Sequence, residues 1–184
     1  MSTYRIAVVV GSLRRESFNK RLAQELIAIG PPDFSFEQLR IDDLPLYNQD
    51  DDGNPADSVR RLKQEIAAAQ GLLFVTPEYN RSIPGVLKNA IDHASRPHGQ
   101  NAWAGKPAGV IGASMGKIGT ALAQQHLRNV LACLDVPVLG QPEAFITVSN
   151  ASFGPDGRLA DADTARFLRK WMDRYSVWVR KHAG

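Results

Sequence analysis

The residues Ile6-Ala7-Val8-Val9-Val10 are followed directly by Gly11-Ser12-Leu13-Arg14-Arg15-Glu16-Ser17-Phe18-Asn19, and this stretch decides the fold. A continuous apolar run rich in β-branched residues is typical of a strand buried on both faces of a parallel sheet. Ser17 is a residue type that caps helices, and apolar residues recur at helical spacing from Phe18 to Ile29. The polar loop between strand and helix offers hydroxyls, a guanidinium and helix-terminal N–H groups to one small volume, which predicts an anion-binding loop.

Strand-like and helix-like segments alternate along the rest of the chain. The predicted strands after the first lie at 36–41, 72–76, 108–112 and, divided in two, 136–139 and 145–148. The predicted helices cover 18–29, 59–70, 84–94, 118–134 and 168–179. This alternation predicts an α/β fold: a flavodoxin-like, doubly wound, five-stranded parallel sheet of order 2-1-3-4-5, in a single domain over residues 1–184.

Composition narrows the class of protein. The 184 residues are 43% hydrophobic, enough for one core, and the net charge of +3 comes from 22 basic and 19 acidic residues scattered along the chain. We therefore expect no nucleic-acid partner. No window approaches the roughly 20 apolar residues of a membrane span, and no signal-peptide pattern is present, so we expect a cytoplasmic protein.

The single cysteine, Cys133, lies in an apolar run and is predicted to be buried and inert.

Three polar loops follow the first, third and fourth predicted strands, at 11–19, 77–83 and 113–117. Because ligands of open parallel sheets bind at the carboxyl ends of the strands, near the switch in strand order, these loops should converge on one crevice. Residues 11–19 match neither the G-x-G-x-x-G dinucleotide pattern nor the G-x-x-x-x-G-K-[ST] nucleoside triphosphate pattern. The hydroxyl, guanidinium and amide groups of that loop instead suit a terminal phosphate monoester. We predict no metal site.

Two long signatures resemble those of the NADPH-dependent FMN reductase family. They are Gly11-Ser12-Leu13-Arg14 with Ser17-Phe18-Asn19, and Pro77-Glu78-Tyr79-Asn80 with Ser82, Pro84-Gly85 and Leu87-Lys88-Asn89-Ala90-Ile91-Asp92. The similarity continues through Gly105-Lys106-Pro107, Ser114-Met115-Gly116 and His126-Leu127-Arg128 to Pro142-Glu143. It therefore covers nearly the whole chain, and it is strongest to the bacterial quinone and chromate reductase branch.

The resemblance implies a bound FMN and an enzyme that passes two electrons from NADPH or NADH through the flavin to a quinone, or to chromate, azo compounds or free flavin. It also implies a homodimer or a dimer of dimers, and no catalytic side chain beyond the residues around the cofactor. By motif match, the implied FMN-binding residues are Ser12, Arg14, Ser17, Phe18 and Asn19 at the phosphate, Pro77, Glu78, Tyr79 and Asn80 along the flavin, and Ser114 and Gly116 at the isoalloxazine ring.

The sequence departs from the family pattern at two positions. Arg81 follows the Pro77–Asn80 motif where similar sequences often have an aromatic residue, and Gln125 precedes His126 where tyrosine is expected. Both changes affect the expected mouth of the active site or the contacts between subunits, so the size of the oligomer stays open.

Two other functions fit parts of the sequence. A flavodoxin-like electron carrier would bind FMN without oxidising NADPH itself. A serine hydrolase would use Ser114, because Gly112-Ala113-Ser114-Met115-Gly116 satisfies G-x-S-x-G and His182 follows in the required order. The hydrolase leaves the first loop and residues 77–80 unexplained, so the reductase is the preferred interpretation.

Overall fold

A five-stranded parallel sheet lies at the centre of the computed structural model, which describes residues 4–154 and 158–183. The strands are β1 (Tyr4–Val10), β2 (Phe34–Gln38), β3 (Gly71–Val75), β4 (Ala108–Ser114) and β5 (Phe145–Thr147). The α-helices are α1 (Phe18–Ala28), α2 (Asp57–Ala67), α3 (Gly85–Ser95), α4 (Ala121–Cys133) and α5 (Ala162–His182). All neighbouring strands pair in parallel in the order β2-β1-β3-β4-β5. The predicted fold and strand order are confirmed.

Helices cover both faces of the sheet, and alternate residues of each central strand point to opposite sides. Ile6 and Val8 of β1 pack with α1 and α5, whereas Ala7 and Val9 pack with α2, α3 and α4. Both sets are almost completely buried. The apolar run that opens the chain is therefore a central strand with no solvent-exposed face, as the absence of polar alternation indicates.

Helix α5 is fixed to the sheet by two large aromatic residues. Trp171 and Tyr175 stack at 5.5 Å, and the Tyr175 hydroxyl donates to the carbonyl of Leu72 in β3 at 2.9 Å. Burial raises the pKa of Tyr175 well above its usual range. Trp171 and Trp178 both lie against the core on this face.

The edges of the sheet differ from the predicted strands in detail. Strand β2 ends at Gln38, although the next residue, Leu39, still donates its N–H to the carbonyl of Val8 at 2.9 Å. The first half of the divided last strand makes a single bridge, between Val138 and Ala108, before β5 begins at Phe145. The division of the last strand is thus present, but its first half is much shorter than predicted.

The prediction that Cys133 is buried is wrong, because this residue is exposed. Helix α4 buries Ala123, Leu127 and Leu131, which recur every four residues on one side. Cys133 lies two residues after Leu131 and so points away from that side. An apolar run in the sequence did not reveal this rotation about the helix axis.

Candidate active site

The three loops predicted to converge do so at the carboxyl edge of the sheet. The first leaves β1, the second leaves β3 at Thr76, and the third leaves β4 at Ser114. β1 lies beside β3, and β3 lies beside β4. The three loops therefore leave neighbouring strands and lie side by side. The chain order of the strands changes direction at β1, which has β2 on one side and β3 on the other.

Ser17 begins α1 and caps it. Its hydroxyl oxygen accepts the N–H groups of Asn19 at 3.2 Å and Lys20 at 3.4 Å. The Ser17 hydroxyl keeps its proton for donation, so capping and anion binding use different parts of one group. Ser12, on the other side of the loop, is also buried, with 5% of its surface exposed. The loop thus brings two hydroxyls to a helix N-terminus.

Arg14 lies exposed above this helix start. Its guanidinium carbon is 5.8 Å from the centroid of the Phe18 ring, in the range of a cation–π contact. It makes no hydrogen bond or ion pair with any residue in 4–154 or 158–183. A cation held over an aromatic ring with its donors free is available to an anionic group.

The Asn19 side chain connects the first loop to β4. Its amide donates to the carbonyl of Ala113 and accepts the N–H of the same residue, each at 2.9 Å. Only 3% of Asn19 is exposed. The amide therefore joins the start of α1 to the end of β4, and both of its polar atoms are engaged there.

The segment after β3 makes a tight turn at Asn80 and Arg81, where φ is 51° and 66°. Tyr79 and Ser82 on either side exchange two backbone hydrogen bonds of 2.9 and 3.0 Å. Two consecutive left-handed residues between paired positions are typical of a two-residue hairpin turn. The turn leaves Tyr79 half exposed at the mouth of the crevice.

Glu78 acts on a neighbouring helix. Its carboxylate accepts the N–H groups of Leu122 at 3.0 Å and Ala123 at 3.1 Å, at the start of α4. The residue that precedes α4, Thr120, makes no side-chain capping bond. Glu78 therefore supplies the cap from another element, and its negative charge is compensated by the helix N-terminus.

Ser114 holds the third loop together. Its hydroxyl donates to the carbonyl of Gly119 at 2.6 Å and accepts the N–H of Gly116 at 3.2 Å. Gly119 has φ of 58° and would place a Cβ 2.8 Å from the backbone of Phe145, so the turn requires glycine there. This turn occupies the start of the predicted fourth helix, and α4 begins only at Ala121.

The arrangement around Ser114 does not form a hydrolase triad with His182. Ser114 ends β4 at the carboxyl edge of the sheet. The end of α5 lies at the opposite edge, where Val179 packs on Gly71 at the start of β3 and Arg180 binds Asp33 before β2 at 2.8 Å. His182 donates to the carbonyl of Trp178 in its own helix. The two residues of the proposed pair are therefore separated by the length of the strands.

Sequence reasoning missed two features beside the crevice. Asn89 binds both the N–H of Tyr47 and the carbonyl of Pro45, each at 2.8 Å, and thereby holds the polar loop after β2 against α3. Phe153, after β5, stacks on Phe18. Asn89 could have been found from the sequence, because it belongs to the second signature. Phe153 has no such motif, and only its apolar side chain distinguishes it from the polar residues around it.

None of the helices in the described part of the chain combines the length and apolarity needed to cross a membrane. Over residues 4–154 and 158–183, no three His, Cys, Asp or Glu side chains are grouped so that they could hold a metal ion.

The donors and surfaces at the crevice fit FMN. One end supplies two buried hydroxyls, a free guanidinium and a helix N-terminus, which suit a phosphate dianion. The other end exposes 51% of Tyr79 and 65% of Met115, a combination of aromatic and apolar surface that suits a flat ring. Gly116 follows Met115 in the same loop, and a Cβ there would contact only the Ser114 hydroxyl, at 3.5 Å.

Comparison with known proteins gives consistent matches. Residues 4–151 match the model of the family described as NADPH-dependent FMN reductase. A 2-hydroxy-1,4-benzoquinone reductase of a Burkholderia species is 54% identical over 176 residues, 96% of each chain. A quinone reductase of Pseudomonas putida is 45% identical over 178 residues, 96% of this chain and 95% of that protein.

A solved structure agrees over the full length. FerB of Paracoccus denitrificans, described as a flavoenzyme NAD(P)H:(acceptor) oxidoreductase, superposes with a TM-score of 0.94 at 44% identity, covering 99% of this chain and 100% of that one. The chain belongs to the NADPH-dependent FMN reductase family, which confirms the expected FMN cofactor, NAD(P)H electron donor and oxidoreductase activity.

Proposed function

We propose that this protein is an FMN-dependent NAD(P)H:quinone oxidoreductase whose active site is the crevice at the carboxyl ends of β1, β3 and β4. One observation carries the proposal: a phosphate-sized set of free donors and an open aromatic and apolar surface lie on adjacent loops of one crevice. The named activities of the similar proteins from Burkholderia and Pseudomonas support a quinone as the acceptor. Chromate, azo compounds and free flavin remain further candidate acceptors.

The residues predicted from the sequence have distinct proposed roles. Ser12, Arg14 and Ser17 would bind the phosphate through side chains, because their donors are free or can be turned toward the loop. Phe18 and Asn19 would act through backbone and packing, since the Asn19 amide is engaged with β4. The residues proposed to line the flavin are Pro77, Glu78, Tyr79, Asn80, Ser114 and Gly116.

When bound, FMN would supply the redox chemistry, the transfer of two electrons from NAD(P)H to the acceptor. The chain contributes binding and orientation. The Ser114 turn would hold its backbone close to the ring, and the hairpin at Asn80 and Arg81 would border the place where donor and acceptor bind in turn. No side chain is assigned a proton transfer.

The visible spectrum of the protein loaded with FMN tests this function. Under anaerobic conditions, NADPH or NADH should bleach the flavin absorbance, and a quinone such as 1,4-benzoquinone should restore it. An absorbance that stays oxidised with both nucleotides would contradict the reductase and favour the electron carrier. Failure to bind FMN at all would contradict the site.

Arg14 should decide the affinity for the phosphate. We expect Arg14→Ala to weaken FMN binding about 10- to 100-fold, because a charge-assisted bond to the phosphate is lost. Binding of riboflavin, which lacks the phosphate, should be unchanged. Arg15→Ala is the matched control, since it removes the same charge one residue away. Equal FMN affinities in the two variants, measured by flavin fluorescence titration, would refute the role of Arg14.

We further propose that the protein forms a homodimer, with a dimer of dimers as the alternative, through the groove between α3 and α4. Two cavities of about 700 and 480 Å³ share Lys88, Asn129 and Val130 and so form one continuous groove, with Ile83 and Leu134 adding apolar surface. Sedimentation equilibrium would distinguish monomer, dimer and tetramer.

The cytoplasmic location stays a prediction, to be tested by cell fractionation.

A further inference from the structure

We propose that Phe153 is a positioning residue for the cofactor phosphate: its ring supports Phe18, and Phe18 in turn carries the Arg14 guanidinium. This inference rests on the proposed role of Arg14 at the phosphate. It concerns a residue more than 130 positions along the chain from the loop that it serves.

Four side chains form a row along the start of α1. Arg14 lies 5.8 Å from the centroid of the Phe18 ring. The Phe18 and Phe153 rings are stacked, with centroids 6.3 Å apart and planes 14° apart. Arg21 then lies 5.8 Å over the Phe153 ring. All three distances are within the ranges at which such pairs attract each other. The row therefore consists of two stacked rings with one arginine at each end.

The second cation of the row pairs with a carboxylate whose charge would oppose an anion. Glu16 is the only carboxylate between Gly11 and Ser17. Its Oε2 lies 2.7 Å from Nη2 of Arg21, the residue that lies over Phe153. Glu16 is thus paired on the α1 side of the loop, and Arg14 keeps its donors free. The Phe153 ring thus also contacts the arginine that pairs with Glu16, while its effect on the phosphate runs through Phe18 and Arg14.

Phe153 is itself held firmly. It is 93% buried and makes an antiparallel bridge to Leu159. The residue before Leu159, Arg158, has its Nε 2.9 Å from Oε2 of Glu25. Glu25 belongs to α1, and only 5% of its side chain is exposed. Because a buried carboxylate requires its partner in place, this pair holds Leu159, the bridge partner of Phe153, near the helix that Phe153 supports.

The physical benefit is preorganisation. A long arginine side chain at the surface loses rotamer freedom when it binds an anion, and this loss weakens binding. A ring beneath the guanidinium restricts the side chain before the phosphate arrives, and its π-face leaves the in-plane N–H donors free. Phe153 keeps that ring in place, so its effect should be specific to the phosphate.

The test compares FMN with riboflavin, which share the ring system and ribityl chain and differ in the phosphate. We expect Phe153→Ala to lower FMN affinity about fivefold while riboflavin affinity stays unchanged, and Phe153→Tyr to restore the FMN affinity. Combined with Arg14→Ala, the Phe153→Ala change should cause no additional loss of FMN affinity. Phe153→Leu, which keeps an apolar side chain without the ring, serves if the alanine variant does not fold, and the same fivefold loss is expected.

Phe36→Ala is the matched control, because Phe36 also packs at the border of the same core but lies on β2 beside Gly30. It should leave the ratio of FMN to riboflavin affinities unchanged. Equal losses for both ligands in the Phe153 variants, or no loss for either, would overturn the inference. If Arg14→Ala itself leaves the ratio unchanged, the proposed phosphate site fails instead, and the two failures are distinct.

Discussion

Replacing Gly112 with alanine should lower the free energy of unfolding by about 3 kcal/mol, at the upper end of what overpacking usually costs. An ideal Cβ on Gly112 would lie 2.1 Å from the carbonyl oxygen of Thr76 and 2.2 Å from Oγ1 of Thr120. Both residues are completely buried, and a backbone atom cannot rotate away as a side chain can. Strand β4 and the end of β3 would have to separate.

Urea-induced unfolding measures this effect, and Gly85→Ala provides the control. Gly85 opens α3, and a Cβ there would have no heavy atom within 4 Å. Alanine at Gly85 should be neutral or stabilising by up to about 1 kcal/mol, because glycine is a poor helix former. A loss below about 1 kcal/mol in the Gly112 variant would show that the two strand ends can adjust freely.

The Gly112 substitution should also weaken FMN binding, because it lies where two site loops begin. Thr76 precedes Pro77, and Gly112 lies two residues before Ser114. A shift between these strand ends would change the distance between the loops proposed to line the flavin. The site therefore depends on the close approach of the Gly112 and Thr76 backbones, directly beneath the loops that form it.

Asn19→Ala should cost about 3 kcal/mol of stability. The Asn19 amide satisfies both backbone polar groups of Ala113, and Ala113 is almost fully buried. Alanine would leave an N–H and a carbonyl inside the protein without a partner, each with a penalty of about 1 to 3 kcal/mol. Asn19→Asp keeps the acceptor but turns an oxygen toward the Ala113 carbonyl, so it should not restore the stability.

Asn89→Ala is the matched control for this change. Asn89 also binds one backbone N–H and one carbonyl, in Tyr47 and Pro45, but it serves a loop beside solvent. Water can replace its hydrogen bonds, and a loss of only about 1 kcal/mol is expected. Chemical denaturation measures both free energies of unfolding. Similar losses for Asn19→Ala and Asn89→Ala would contradict the claim that unpaired backbone groups cost more at the buried position.

Asn19 has a role that its motif does not indicate. The first signature implies that Asn19 binds FMN, which stays a prediction, and the structure shows that its amide also joins Ala113, 94 residues away. Ser17, by contrast, has a role that the sequence indicates. Its capping role follows from residue type and from the helical pattern next to it, both of which are local, and the structure has the cap as predicted.

The sequence by itself determined the succession of strands and helices, the three loops of the crevice and the cap of the first helix. These properties follow from local periodicity, from residue types at element ends and from the alternation of strands and helices, all of which lie in short windows. The resemblance of its motifs added the cofactor and the electron donor.

The tertiary structure alone decided how the site is supported. It placed Glu78 on the start of α4, Asn19 on β4 and Phe153 on Phe18, and it turned Cys133 to the surface. Each of these depends on the rotation of a helix or on contacts between residues far apart in sequence. Such contacts exist only after the sheet has formed, so no local pattern in the chain specifies them.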